Sequence, residues 1–406
     1  MKNISNNKQF GGVSLFVVVF FMLLITVVTV SFLRLMTADQ QQSSNNDLSQ
    51  SAYDSAQAGV EDGKRTLLSY KQYCSTHTIA ECAVAGDTTH LASSVCNAAL
   101  ANGIGVSATM KTNEVIIQQS TDATAKLLNQ AYTCVTLQLL TDDYVGDIAA
   151  NESQLVPLVS NSQFDRVRVE WFSRDDVSSN AISLTGVGGS GQPLYTAGKW
   201  PINRPSLMRA QLIQVATNGF KIADFDTVSG AQSNGASMFL YPTSQPGIGD
   251  RDMTTYDQRK TSPTDNPNPK EALTTPTPVS CQASLSAGGF ACTSDLVLPQ
   301  AVGASDNNRT GFLRLTPFYN ATHFRVTLWN GPVNLAAPSV KFNGVQPSID
   351  STGRANDLFR RVQSRVDLYD TTFPYPEAAI DLTGNFCKDF AVTDTQYIPG
   401  SSGCTP

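Results

Sequence analysis

The residues of this chain best able to form new bonds are its eight cysteines, Cys74, Cys82, Cys96, Cys134, Cys281, Cys292, Cys387 and Cys404. Their number is even, and no two form a Cys-x-x-Cys pair. The three histidines, His77, His90 and His323, are not spaced with them as zinc ligands would be. Four disulfides formed in an oxidising compartment are the simplest account. Sequence leaves the connectivity open, because eight cysteines allow about a hundred pairings. Pairing sequence neighbours (74–82, 96–134, 281–292 and 387–404) closes the shortest loops.

Acid–base and metal chemistry have less to work with. His77 and His90 fall among the first cysteines, and His323 sits beside Phe324 in an alternating segment. Each reads as a structural histidine with satisfied partners. No H-E-x-x-H or G-x-S-x-G occurs. Gly186-Val187-Gly188-Gly189-Ser190-Gly191 fits G-x-G-x-x-G, but Gln192-Pro193-Leu194-Tyr195 follows. That is no helix start whose amides could meet a phosphate, so a loop is expected. Carboxylates gather at Asp142, Asp143 and Asp147, and again at Asp250, Asp252 and Asp257. Either group could offer oxygens to Ca²⁺ without matching EF-hand spacing, or be solvated loop acids. No catalytic set emerges, so the expectation is a protein that is not an enzyme and carries no cofactor, calcium being the one ion considered.

These residues must be carried by an anchor and a head. From Val13 to Leu33 run 21 residues with no charge and no proline. At 1.5 Å per residue they make a helix of roughly 31 Å, the thickness of a bilayer's hydrocarbon core. The run exceeds the apolar core of an ordinary secretory signal, about 7–15 residues. A membrane helix over 13–34 is therefore predicted. Lys2 and Lys8 precede it, while Arg34 beyond it is diluted by Asp39 and Asp47. The N-terminus should stay cytoplasmic and everything past about residue 34 lie outside, a single-pass topology. Net charge is −6 and charged residues are 15% of the chain, which excludes the basic face that nucleic acid requires.

The helix should continue beyond the membrane. Leu48, Ala52, Ala56, Gly59, Val60, Gly63 and Leu67 recur at three or four without an intervening proline, a narrow stripe of small residues. Asp47, Asp54, Glu61, Asp62, Lys64 and Arg65 lie mostly off it. One helix of about 55 residues is predicted, half in lipid and half (35–72) packed on a head. Gly59 and Gly63 each cost about 1 kcal/mol in a helix interior, which close packing or a local kink would explain.

The segment from Tyr73 to Leu140 holds four cysteines and reads as a disulfide-stapled insertion, with helical patches at Leu91–Leu100 and Ala123–Asn129 and a strand at Ala131–Leu140. Alternation then predicts strands at Phe164–Phe172, Ser206–Val215, Ser237–Tyr241, Gly311–Leu315, Thr322–Trp329, Ser339–Phe342 and Arg361–Tyr369. In the last, Val362, Ser364, Val366 and Leu368 alternate with Arg361, Gln363, Arg365 and Asp367. Residues 255–280, with Pro263, Pro267, Pro269, Pro276 and Pro278, read as a loop or linker. It either divides the head into a 73–254 part and a 281–406 part or is an excursion from one sheet. The fold class is α+β: a long N-terminal transmembrane helix running into a head with antiparallel sheet and a disulfide-rich insertion.

Gly11-Gly12-Val13-Ser14-Leu15-Phe16 places small residues before the apolar run, where an ordinary signal peptide has them after it. This resembles the leader of type IV pilins and type II secretion pseudopilins. The resemblance implies a leader of residues 1–12, cleavage after Gly12 by a prepilin peptidase, and N-methylated Val13 as the first mature residue. Val17 stands where most of the family carries a glutamate. That absence is similar to the pilX-type minor pilins and the K-type minor pseudopilin, and implies a place at a filament tip. Ala52-Tyr53-Asp54-Ser55-Ala56-Gln57-Ala58-Gly59-Val60-Glu61 and the stretch Ile349–Arg354 with Arg360–Val362 and Arg365–Leu368 resemble pilX-like proteins too, and Cys387–Cys404 resembles the disulfide-bounded loop of many pilins. The resemblance implies other pilins as partners of the helix, a membrane stage before assembly into a surface filament, and adhesion to a host or cell surface or twitching motility as the outcome. Residues 73 to about 310 resemble no named family.

Overall fold

The computed structural model describes residues 11–87, 90–104, 110–111, 114–117, 130–178, 181–184, 200–215, 235–244, 249–257, 276–285, 289–303, 310–334 and 339–369. Helix α1 spans Gly11–Thr76, 66 residues. It is longer than the sequence suggested, because no proline interrupts it and its end is set by side chains. The hydroxyls of Ser75 and Thr76 donate to the carbonyls of Gln72 and Tyr73, and the His77 ring stacks on Tyr73 with centroids 3.7 Å apart. Thr78 then caps the short α2 (Ile79–Ala85) in a reciprocal box with Glu81, and Gly86 closes it. The Cys74–Cys82 disulfide joins the end of α1 to α2.

By contacts the chain forms two compact units, residues 1–137 with 349–364, and 138–348 with 365–406. The first unit is built on a five-stranded sheet: β1 (Met110–Lys111), β2 (Glu114–Ile116), β3 (Gln130–Thr141), β14 (Phe342–Ala355) and β15 (Leu358–Arg365), in that order. The Thr133 hydroxyl donates to the Thr352 carbonyl, and the Ser348 hydroxyl bonds Gln138. Those partners recede together from the far strand ends, so β3 and β14 run antiparallel. The Asn356-Asp357 turn, with Asn356 at φ 50°, joins β14 to β15 in the left-handed conformation that two-residue hairpins favour. Helix α3 (Ala98–Ile104) is held to β3 by Asn97, whose side chain accepts from the Val135 amide and donates to the Thr133 carbonyl, and by the Cys96–Cys134 disulfide.

The second unit is one sheet in the order β4 (Tyr144–Ile148), β13 (Thr322–Trp329), β6 (Phe164–Ser173), β11 (Phe290–Val302), β10 (Thr277–Cys281), β8 (Gly235–Thr243), β7 (Leu207–Val215), β12 (Thr310–Phe318), β5 (Gln154–Leu158), with β9 (Arg251–Asp252) also on β11. Pairing is antiparallel except β8 with β10 and β9 with β11. Val167, Val169 and Trp171 of β6 face Leu328, Val326 and Phe324 of β13 across the ladder, and all are buried. They share a single core with Val156 and Leu158 of β5 and Tyr144 and Ile148 of β4. The Gln154 amide also donates to the Tyr144 hydroxyl at 2.9 Å. Strands at opposite ends of the order thus share one interior, so the sheet curls on itself. Outside it, Arg168 pairs with Asp295 at 2.6 Å and Arg325 with Glu170 at 2.7 Å across neighbouring strands.

Several expectations change. The helical patch at Leu91–Leu100 reduces to the start of α3, and α2 was not foreseen. Ala123–Asn129 lies outside the described residues. The Ser339–Phe342 strand is a single bridge at Val340 followed by the 14-residue β14. The last strand sits earlier, at 358–365, although the alternating exposure continues to Leu368. The segment 255–280 is shortened by β10, which starts at Thr277 and pairs with β8 from before the segment. Residues 258–275 of it lie outside the described residues.

Candidate functional site

The candidate site is α1 itself, three consecutive stretches in different surroundings. From Leu15 to Met36 the large apolar side chains are exposed, and the most apolar window has a mean hydropathy of 2.9 with none of it buried. The helix is long and apolar enough to cross a membrane. From Leu15 to Leu33 the hydroxyls are already satisfied: those of Thr26, Thr29 and Ser31 donate back to the carbonyls of Leu23, Ile25 and Val27. Nothing in these 19 residues needs water, as a hydrocarbon environment demands, and Arg34 brings the first charge.

Thr37 to Asp47 is polar and exposed on every side. Below it the helix is seated on the five-stranded sheet. Ala52, Ala56, Gly59, Val60, Gly63 and Leu67 are buried, together with Ser55 and Thr66. A methyl group added to Gly59 would overlap Ser351 and come within 2.8 Å of Val135, and one on Gly63 would come within 2.8 Å of Ile349. From the sheet side, a methyl on Gly353 would overlap the Ala52 carbonyl oxygen and the Ala56 amide nitrogen. Helix backbone therefore rests directly on strand backbone, and close packing accounts for the two helix glycines. The expected stripe is the buried face from Ala52 to Leu67, while Leu48 is half-buried.

Polar contacts edge this seat. The Tyr132 hydroxyl donates to Asp62 at 2.7 Å, and burial, with the neighbouring Asp62 carboxylate, pushes its pKa well up. Arg360 donates to the Ser49 hydroxyl at 2.8 Å. Arg354 grips Glu114 with two nitrogens, at 3.1 and 2.6 Å. On the solvent side Lys64 pairs with Glu61 and Arg65 with Asp62.

Comparison with family models, curated proteins and solved structures finds no match.

The remaining candidates separate rather than converge. Cys74–Cys82, Cys96–Cys134 and Cys281–Cys292 are bonded as sequence neighbours, and Cys387 and Cys404 lie outside the described residues. Gly12 and Val13 lie within α1, and the Gly186–Gly191 motif lies outside the described residues. His90 bonds Asp87 at 2.9 Å, and His323 bonds Asp176 at 2.7 Å. Asp143 pairs with Arg365, Asp142 with Lys341, and Asp250 with Arg166. Asp252 accepts from the Thr254 and Thr255 amides, and buried Asp257 from the Ser237 amide. Among the described residues no group of three or more His, Cys, Asp or Glu gathers where it could hold a metal.

One feature of the second unit had no sequence signal. Trp200 stacks on Tyr319 with centroids 4.3 Å apart, and the buried Arg204 guanidinium lies 4.8 Å from the Trp200 ring and 5.7 Å from Tyr241. The Asn320 amide donates to the carbonyls of Pro201 and Arg204 at 2.9 and 2.8 Å. The clasp fixes a tight loop whose tip, Ile202, is 76% exposed. Three separate segments contribute, so no local motif announces it.

Proposed function

We propose that the chain is a non-enzymatic minor pilin of a type IV pilus or a related filament, placed at the filament tip and supporting assembly and adhesion or motility. The observation that carries this reading is one unbroken helix, exposed and apolar from Leu15 to Leu33 and seated through small residues on an antiparallel sheet from Ala52 to Leu67. A segment built this way exchanges lipid for neighbouring apolar helices while its lower half holds the head. The chain is made with its lysine-bearing leader inside, cut after Gly12, methylated on Val13 and drawn from the membrane, leaving the head outside. Val17 in place of a glutamate suits a subunit with no neighbour beyond it, since no terminal ammonium has to be neutralised there.

The same surfaces would serve a minor pseudopilin of a secretion system, or a binding protein on an uncleaved anchor. Mass spectrometry of the mature N-terminus separates the last of these. Methylated Val13 is expected, and Met1 would defeat the pilin reading. Gly12→Val should leave the leader in place; normal maturation of that variant would remove Gly12 as the cut site.

A further inference from the structure

The edge of a sheet carries unpaired main-chain groups, which folds blunt with short strands, prolines or a covering group. Among the described residues three edge strands are blunted this way. Strand β1 is two residues long, β5 contains Pro157, and the Gln346 side chain bonds both main-chain groups of Val145 in β4. Strand β15 has none of these devices. It is eight residues long, lies at the end of its sheet and contains no proline.

Register fixes which of its groups are free. The Val366 and Leu368 amides donate to the Pro347 and Val345 carbonyls, in step with the two-residue turn at Asn356-Asp357. Leu358, Arg360, Val362 and Ser364 therefore turn their main chain toward β14, while that of Phe359, Arg361 and Gln363 points outward. Among the described residues nothing pairs with those outward groups. Such an edge is satisfied by one kind of occupant, an extended backbone. Charged side chains do not stand guard over it, because Arg360 is bonded to Ser49, Arg361 to Asp350 and Arg365 to Asp143.

Two observations narrow the occupant. Gly59 lies on Ser351 and Gly63 on Ile349, so α1 runs against β14 and along β15. Two copies joined symmetrically through antiparallel β15 strands would point their apolar helices in opposite directions, which a bilayer entered from one side does not allow. Charge is the second observation. From Leu358 to Val366 there are three arginines and no acid, in a chain of net charge −6. Arg360 is held by a neutral hydroxyl, and Arg361 stays 72% exposed beside Asp350. We propose that β15 is a strand-addition site, which takes an extended acidic segment of a partner protein as a further strand of the first unit's sheet. This goes beyond the assembly reading, whose contacts run through the helix.

For the test, the full chain in detergent is mixed with an acetylated Thr-Glu-Val-Glu-Val-Glu-Val-Thr peptide or with its lysine counterpart. Amide hydrogen exchange is then read residue by residue by mass spectrometry. Expected is fast exchange at Arg361 and Gln363 in the free chain, slowed about tenfold near saturation with the acidic peptide and unchanged with the basic one. Val362 and Ser364 should be slow throughout, reporting an intact ladder to β14. Gln363→Pro removes an outward N–H and should abolish the slowing while that ladder is kept; Arg360→Glu should weaken it. Outward amides already slow in the free chain would show the edge covered by the chain itself or by a second copy, and would overturn the proposal. No response to the acidic peptide, or an equal response to both, would do the same. The exchange result does not depend on the mature N-terminus, so a Met1 terminus would defeat the pilin reading alone.

Discussion

At Gly353 strand backbone meets helix backbone, and no side-chain adjustment can relieve an added methyl there. Gly353→Ala should cost about 3 kcal/mol, the upper end of overpacking penalties, read as a shift of the urea midpoint in detergent. Gly59→Ala should cost less, because the atoms it meets belong to the side chains of Ser351, Val135 and Tyr132, which can yield. Equal costs would disprove the backbone contact. His323 tests the electrostatics of the second unit. Burial works against its charged form, but the hydrogen bond and charge of Asp176, aided by Asp175 and Asp147, outweigh it and hold the pKa above the usual value. The stabilisation is therefore whole below about pH 6.5 and is lost as pH rises through the higher folded value. Thermal unfolding of His323→Gln should differ most from the parent on the acid side of the usual histidine pKa, about 6.5, and the gap should narrow as pH rises beyond it. A gap that widens with pH would show the pair to be misread.

At the scale of elements, the three disulfides should rank by the loops they close. Cys96–Cys134 spans 38 residues and Cys74–Cys82 spans 8. Converting each pair to alanine should cost about 4 kcal/mol for the first and about 2.5 kcal/mol for the second, from loop entropy alone. Denaturant titration of the two double variants checks the order. Elements with one wet and one dry face were the legible ones. Strand β13 was read at its true limits because polar and apolar residues alternate from Thr322 to Trp329. Strand β14 was missed over most of its length because Gln346, Ser348 and Ser351 are buried polar residues that break the pattern. The Gln346 amide faces inward to bond both backbone groups of Val145, a partner about two hundred residues away that no local window contains. The capping box of α2 was written in Thr78 and Glu81, but seven residues give too little periodicity to trust. The helix stripe from Ala52 to Leu67 could be read, because spacing defines it, although Ser55 and Thr66 share the buried face and Leu48 is only half-buried. The clasp around Trp200 could not.

On the scale of the whole molecule, residues 138–348 of the second unit are inserted in sequence between the two parts of the first. The chain leaves along β3 and returns along β14, which are neighbours in the sheet. Replacing Asp143–Asn343 with an Asn-Gly turn should leave a protein that still forms Cys96–Cys134 and melts in one cooperative step. Circular dichroism and thiol counting read both, and a chain that fails to form the disulfide or melts without cooperativity would refute the arrangement. The proline-rich segment left a division of the head open. The boundaries between the two compact units fall within β3 and β14, where composition marks nothing.

Continuity of α1 has a mechanical consequence. Were the helix pulled along its axis against the sheet, its seat would slide lengthwise down β14, from Gly353 past Ser351 to Ile349, instead of peeling away. Were the helix to unwind, the Cys96–Cys134 bond would withhold about 130 Å of contour length from extension. The same bond that stabilises the resting fold then limits how far the first unit can be drawn out under tension.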